Sequence, residues 1–202
     1  MEEEDDEPRL SAAAVAALQE FYAEREQTEN EEDWQLSQFW YDEPTAQALA
    51  EEVLHAVGSA RCHQWVACIS CPTLFKQLSS NQMTDSTVRL FEFDRRFEAK
   101  YPEQFCFYDY KRPLELPDWC RNRFNLLIAD PPFLSNECLS KVAETVMSLS
   151  AVDARILLCT GQIMEATAAQ LLSVKPCQFH PTHTNNLANE FCCFANYDTF
   201  II

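Results

Sequence analysis

Glycine is nearly missing from this chain: two residues, Gly58 and Gly161, among 202. A dinucleotide site needs a Gly-rich turn after its first strand so that the backbone can approach a pyrophosphate at a helix N-terminus. Two glycines so far apart weigh against such a site. Basic residues are also scarce, with 15 Lys and Arg against 32 Asp and Glu and a formal net charge of −17. Nucleic-acid binding depends on Lys and Arg neutralising phosphates, and it leaves a basic patch in the sequence. The densest basic groups here are Arg95-Arg96 and the scattered Lys111, Arg112, Arg121 and Arg123. The acidic balance favours a basic protein partner instead. No apolar run approaches the roughly 20 residues of a membrane span. The opening Met1-Glu2-Glu3-Glu4-Asp5-Asp6-Glu7 is the opposite of a signal peptide, which starts basic and turns apolar.

What the chain does have is apolar content, 47% of its residues, and ten cysteines. That suffices for one globular domain with its own core. Without an export signal the cysteines read as reduced thiols. Cys68 and Cys71 form a CxxC, but no second pair stands at zinc-finger spacing. Cys192 and Cys193 are adjacent and would face opposite sides of a strand, so the cysteines read as small core hydrophobes and no metal is expected.

The first nine residues form an acidic tail. Ser11 caps an expected helix over about 12–26, with Val15, Leu18, Phe21 and Tyr22 on one face. It is either a docked amphipathic helix or a substrate-contacting arm, joined by a polar linker at 27–33. The stretch Trp34 to Tyr41 is unusually aromatic. It either seals one end of the core or lines a pocket, since aromatic walls suit sulfonium and ammonium cations. A helix then opens at Asp42-Glu43-Pro44-Thr45 and runs to about Val57.

From there strands and helices alternate. Strands are expected at 64–70, 88–94, 105–109, 125–129 and 155–160, helices after Pro72 and over 95–100, 135–149 and 163–173. Two closing strands, Gln178 to Pro181 and Glu190 to Tyr197, form an expected antiparallel pair. Such alternation predicts an α/β fold, a mostly parallel sheet with helices on both faces.

Four of these strands end in polar residues, Ser70, Glu92, Asp109 and Asp130, roughly one βα unit apart. In a nucleoside-binding fold the acid ending the second strand accepts from both ribose hydroxyls. Glu92 fits that role, with Asp94 as a near competitor, and Asp109 is placed for an exocyclic adenine amine. An isolated acid after a strand is usually a turn former; three in successive units are harder to explain that way. The last leads into Asp130-Pro131-Pro132-Phe133. Its two prolines lack N–H groups and have fixed φ, so the chain leaves the sheet as a stiff tip presenting a carboxylate, an unpaired carbonyl and an aromatic face. The turn after the first strand is Ser70-Cys71-Pro72-Thr73, without glycine. That matters less for a cofactor with no phosphate, which points toward S-adenosyl-L-methionine.

Asp130-Pro131-Pro132-Phe133 resembles the [D/N]PP[F/Y] motif of amino-group methyltransferases. Together with Trp34 to Tyr41, Phe105 to Tyr110, Leu157 to Gly161 and Asn186 to Phe191, it is similar to one family over about residues 10 to 200. That family is the eukaryotic elongation factor 1-alpha lysine N-methyltransferases, formerly regarded as N6-adenine-specific DNA methyltransferases. The resemblance implies a Rossmann-like seven-stranded class I methyltransferase sheet over 34–202, preceded at 1–33 by the tail, N-terminal helix and linker. It implies a cytoplasmic, monomeric enzyme using S-adenosyl-L-methionine to methylate a lysine ε-amine of elongation factor 1-alpha. By motif match, Asp130, Pro131, Pro132 and Phe133 form the acceptor site, and Trp40, Tyr41 and Thr45 lie beside the methionine end of the cofactor. With Ser70, Glu92, Asp94 and Asp109 these make up the expected site. The linker at 27–33 is short for the family and the chain ends soon after Tyr197.

Two other readings stay open. The same tip could hold a flipped adenine with Phe133 stacked on it, giving an N6-adenine methyltransferase of DNA or RNA. A non-catalytic module that lost its cofactor along with its glycines is the third.

Overall fold

A computed structural model describes residues 39–60, 62–80, 86–185, 187 and 189–202. The expected helix at 12–26 and most of the aromatic stretch lie outside them. The described elements are helix α1 (Glu43–Gly58), strand β1 (Gln64–Ile69), α2 (Pro72–Ser80), β2 (Ser86–Glu92), α3 (Arg96–Lys100), β3 (Phe105–Phe107), β4 (Phe124–Ala129), α4 (Asn136–Leu149), β5 (Ser150–Gly161), α5 (Glu165–Leu172), β6 (Lys175–Pro176) and β7 (Phe191–Ala195). Short 3-10 turns at Asp118–Cys120 and Gln162–Met164 precede β4 and α5.

The strands form one seven-stranded sheet in the order β3-β2-β1-β4-β5-β7-β6. The first five are mutually parallel, β7 runs antiparallel to β5, and β6 antiparallel to β7. This is the Rossmann-like class I arrangement that the resemblance implied. Its strands alternate between two cores. Leu126 and Ile128 face one side with α1 (Leu49, Val53) and α2 (Leu74, Phe75). Leu127 and Ala129 face the other with α4 (Val142, Val146) and α5 (Ala168). Each fully buried Leu or Phe contributes roughly 2 kcal/mol by leaving water. Cys192 and Cys193 fall in opposite cores, as neighbours on a strand must.

Four strands differ most from the expected ones. The fifth starts at Ser150, five residues before the expected Arg155. The second strand starts and ends two residues earlier, so Phe93 and Asp94 lie past its end. The third is cut to Phe105–Phe107, because Tyr108 turns inward to hydrogen-bond Thr145 Oγ1 at 3.0 Å from inside the core. The sixth is not Gln178–Pro181 but Lys175–Pro176. Past it the chain still follows β7 through single bonds from Cys177 N to Cys193 O and from Cys193 N to Phe179 O. Regular pairing cannot continue there, since Pro176 and Pro181 have no N–H to give.

The strand order reverses between β1 and β4. Chain runs outward from β1 to β3 on one side, then returns to β4 on the other, so their carboxyl ends open a crevice. Asp130 N donates to Ile69 O at 3.0 Å, which ties the two ends together at the crevice floor.

The turn leaving β1 solves its lack of glycine by strain. Ser70 sits at φ 54°, in the left-handed region, with its N–H bonded to Phe91 O at 2.9 Å. A non-glycine residue there costs roughly 1–2 kcal/mol. Replacement of Ser70 by valine, whose branched Cβ worsens that cost, is expected to lower stability by about 1–3 kcal/mol relative to Ser70→Gly. Denaturant unfolding of the two variants checks this.

Candidate active site

The crevice widens into a cavity of about 510 Å³ at the carboxyl ends of β1, β2, β3 and β4. Nine of the expected residues line it: Trp40, Tyr41, Ser70, Glu92, Asp109, Asp130, Pro131, Pro132 and Phe133. They come from five separate segments; the sheet brings four of them together, and the bridge to His183 ties in Trp40 and Tyr41.

Glu92 ends β2 almost fully buried. Its Oε1 accepts from the N–H groups of Phe93 and Asp94 at 2.9 and 3.0 Å, which fixes the carboxylate at the cavity edge. Asp109 is half-buried one strand further out, where its Oδ1 accepts from Lys111 N at 2.9 Å. Asp130 leaves β4 at the floor. Pro131 is buried behind it, and Phe133 stands at the mouth, 42% exposed, with its ring centroid 5.7 Å from that of Tyr110. Helix α4 starts directly after this tip, with Ser135 Oγ accepting from Cys138 N at 3.2 Å. Behind the tip, a Cβ at Gly161 would stand 2.9 Å from Leu134 Cδ1, so glycine lets β5 approach the loop.

Two expected residues stand outside the cavity wall. Asp94, past the end of β2, turns to Arg96, accepting from its N–H at 2.9 Å and pairing with its guanidinium at 2.6 Å to start α3. Thr45 lies in the first turn of α1, where its N–H bonds the capping Asp42 Oδ1 at 3.0 Å and its Oγ1 accepts from Thr182 N at 2.9 Å. That position lets it hold the chain before β7 rather than face the cavity.

Other wall residues carried no legible signal. Phe93 lines the cavity because β2 ends one residue before it. His183 lines it from the segment between β6 and β7, joined to Tyr41 by an isolated bridge and ring contact at 5.2 Å. Nothing in the local sequence around His183 marks that approach.

Asp130 is half-buried on the cavity floor, and the partial loss of water there pushes its carboxyl up, to about 7 from the usual 3.8. The neighbouring Tyr41 hydroxyl partly offsets this, and the Glu92 carboxylate adds to it. Burial pushes the Tyr41 phenol well up, so it stays protonated. Its hydroxyl is buried without a completed hydrogen bond among the described residues.

The site fits a cationic nucleoside cofactor. Glu92 suits ribose hydroxyls, Asp109 an adenine amine, the opening of α2 at Pro72 a carboxylate, and Trp40 a sulfonium face. No pyrophosphate cradle is needed.

Residues 32–199 match the profile of a family described as probable N6-adenine methyltransferase. Relatives of nearly equal length are EEF1A lysine methyltransferase 1 of mouse, 50% identical over 98% of this chain and 95% of that protein, and its human counterpart, 49% identical over the same shares. The chain belongs to this methyltransferase family. A protein-lysine N-methyltransferase of Caenorhabditis elegans is 44% identical over 98% of both chains. Among solved structures, the branched-chain polyamine synthase C9 mutein of Thermus thermophilus shares the fold at 11% identity, with a TM-score of 0.59 over 87% of this chain and 61% of that one. As a member of the family, the chain is a methyltransferase and its cofactor is S-adenosyl-L-methionine.

The raised Asp130 carboxyl makes stability depend on pH. Below about pH 4 the folded and unfolded states both hold this proton, and well above about 7 neither does. Between them the folded state binds more, so stability falls as pH rises. Relative to Asp130→Asn, the wild type should lose up to roughly 2.5 kcal/mol between pH 5 and pH 8. Denaturant unfolding of both proteins at the two pH values measures it; parallel changes would contradict the assignment.

Proposed function

We propose that this enzyme is a protein-lysine N-methyltransferase that methylates a lysine ε-amine of elongation factor 1-alpha. One observation carries the choice of acceptor: among the described residues the cavity wall holds three carboxylates, Glu92, Asp109 and Asp130, against one lysine, Lys111. An acidic cavity in a chain of net charge −17 attracts a lysine ammonium and repels a nucleic-acid backbone. The names of the relatives support elongation factor 1-alpha as the protein that carries the lysine. In this reading residues 34–202 are the methyltransferase domain of a cytoplasmic, monomeric enzyme, with 1–33 an appended tail, helix and linker.

Bound in the cavity, S-adenosyl-L-methionine supplies a methyl group activated on a sulfonium. The residues supply proximity and direction, which account for most of the gain in an in-line displacement. Glu92 and Asp109 hold the nucleoside end, while Ser70, Trp40 and Tyr41 bound the methionine end. The Asp130 carboxylate and the Pro131 carbonyl accept hydrogen bonds from the amine and aim its lone pair. Phe133 and Tyr110 flank the mouth, where an aliphatic lysine stem can pack between them.

An amine with a normal pKa of about 10.4 arrives protonated. Ionised Asp130 attracts that ammonium into the site, whereas desolvation and the adjacent sulfonium favour its neutral form. With Asp130 titrating at about 7 and the amine's proton leaving to solvent, kcat/KM should rise steeply with pH up to that value and less steeply above it, toward the amine's own pKa. Tritiated cofactor incubated with the enzyme and either elongation factor 1-alpha or a DNA or RNA oligonucleotide tests the reading. Label should enter the protein as methyl-lysine, and Asp130→Ala should slow it on the order of 100-fold with cofactor affinity kept. Label in adenine, or normal turnover by Asp130→Ala, would overturn it.

A further inference from the structure

Tyr41 is held more firmly than a cofactor-facing aromatic needs to be. Its backbone bridges to His183, and its neighbours are strapped on both sides. Thr184 N donates to Trp40 O at 2.9 Å, Asp42 N to Thr182 O at 3.2 Å, and Thr182 Oγ1 to Asp42 Oδ2 at 2.5 Å. The ring, 5% exposed, lies against His183. All this rigidity presents a buried hydroxyl on the cavity wall that acts on the Asp130 carboxylate while standing outside normal hydrogen-bond geometry to any described residue. A buried hydroxyl left unpaired costs free energy, so one fixed beside a carboxylate gains by donating to it.

We propose that Tyr41 is a positioning residue for methyl transfer: its hydroxyl donates to one oxygen of the Asp130 carboxylate and so turns the other oxygen to the acceptor amine. This rests on the reading of Asp130 as the acceptor-site acid. A carboxylate offers two oxygens and several lone pairs, and without a second anchor its plane rotates freely. Pro131, lacking an N–H, cannot supply that anchor. The titratable groups that act on Asp130 or Tyr41 are Glu92 at the end of β2, Cys71 before α2, Cys159 on β5 and Cys193 on β7, while Asp109, Tyr110, Lys111 and His183 line the same cavity. The Glu92 carboxylate repels; burial holds the Cys71 thiol above its usual range, and the Cys159 thiol beside it, then burial, does the same for Cys193. Tyr41 is therefore the strong donor of the set. The bond also favours the ionised carboxylate, so its loss moves the Asp130 titration upward.

The test is Tyr41→Phe, which keeps the ring and removes the hydroxyl, alongside 3-fluorotyrosine at position 41, a stronger donor. Carbon-13 NMR of the Asp130 carboxyl in the cofactor-free protein gives a readout independent of turnover. The midpoint should rise in Tyr41→Phe and fall with 3-fluorotyrosine, and the acidic limb of kcat/KM should move with it. In Tyr41→Phe the plateau kcat should drop about 10-fold or more, with cofactor affinity within about twofold of wild type. An unmoved midpoint and limb in both proteins overturns the role of Tyr41, even where turnover falls. If the limb persists in Asp130→Asn, the reading of Asp130 itself fails, and with it this inference.

Discussion

The cost of holding one carboxylate away from water at the end of β4 organises this molecule. Asp130 sits where β1 and β4 part, and its own N–H bonds back to Ile69. Burial there pushes its carboxyl up to about 7, so at neutral pH it is poised between two protonation states. Such a group persists in a fold only when the surroundings over-determine its place. Here the sheet fixes its backbone, the two prolines fix its exit, and α4 begins directly behind it.

The same economy explains the rest of the cavity. Two of the three carboxylates are held by short-range N–H groups: Glu92 by Phe93 and Asp94, Asp109 by Lys111. Neutral N–H anchors of this kind leave the charge in place, so the site can stay acidic and open toward a cation. The turn after β1 does with strained Ser70 what related folds do with glycine. An enzyme whose cofactor has no phosphate can accept a side chain at that approach.

Much of this was legible in the sequence, for definite reasons. Strands β1 and β4 are runs of apolar residues bounded by turn formers, so their positions were plain, as was the tip after Ala129. The spacing of Ser70, Glu92, Asp109 and Asp130 foretold a shared crevice because parallel strands align their carboxyl ends. Asp94 could not be told from Glu92 by spacing; what separates them is a strand that ends two residues early and a guanidinium that draws Asp94 toward α3. The sixth strand was misplaced because Pro176 and Pro181 leave only irregular pairing along β7. His183 was invisible, since its approach to Tyr41 depends on a long-range bridge with no local pattern. The unpaired Tyr41 hydroxyl is likewise a fact of packing and not of sequence.

The central claim is that the Asp130 tip seats the acceptor amine beside the activated methyl. The most direct measurement is a crystal structure of the enzyme with S-adenosyl-L-homocysteine and a lysine peptide from elongation factor 1-alpha. The lysine nitrogen should lie about 3 Å from both an Asp130 carboxylate oxygen and the Pro131 carbonyl, with its stem against Phe133. A lysine nitrogen bound elsewhere, with Asp130 contacting only the cofactor, would contradict the account.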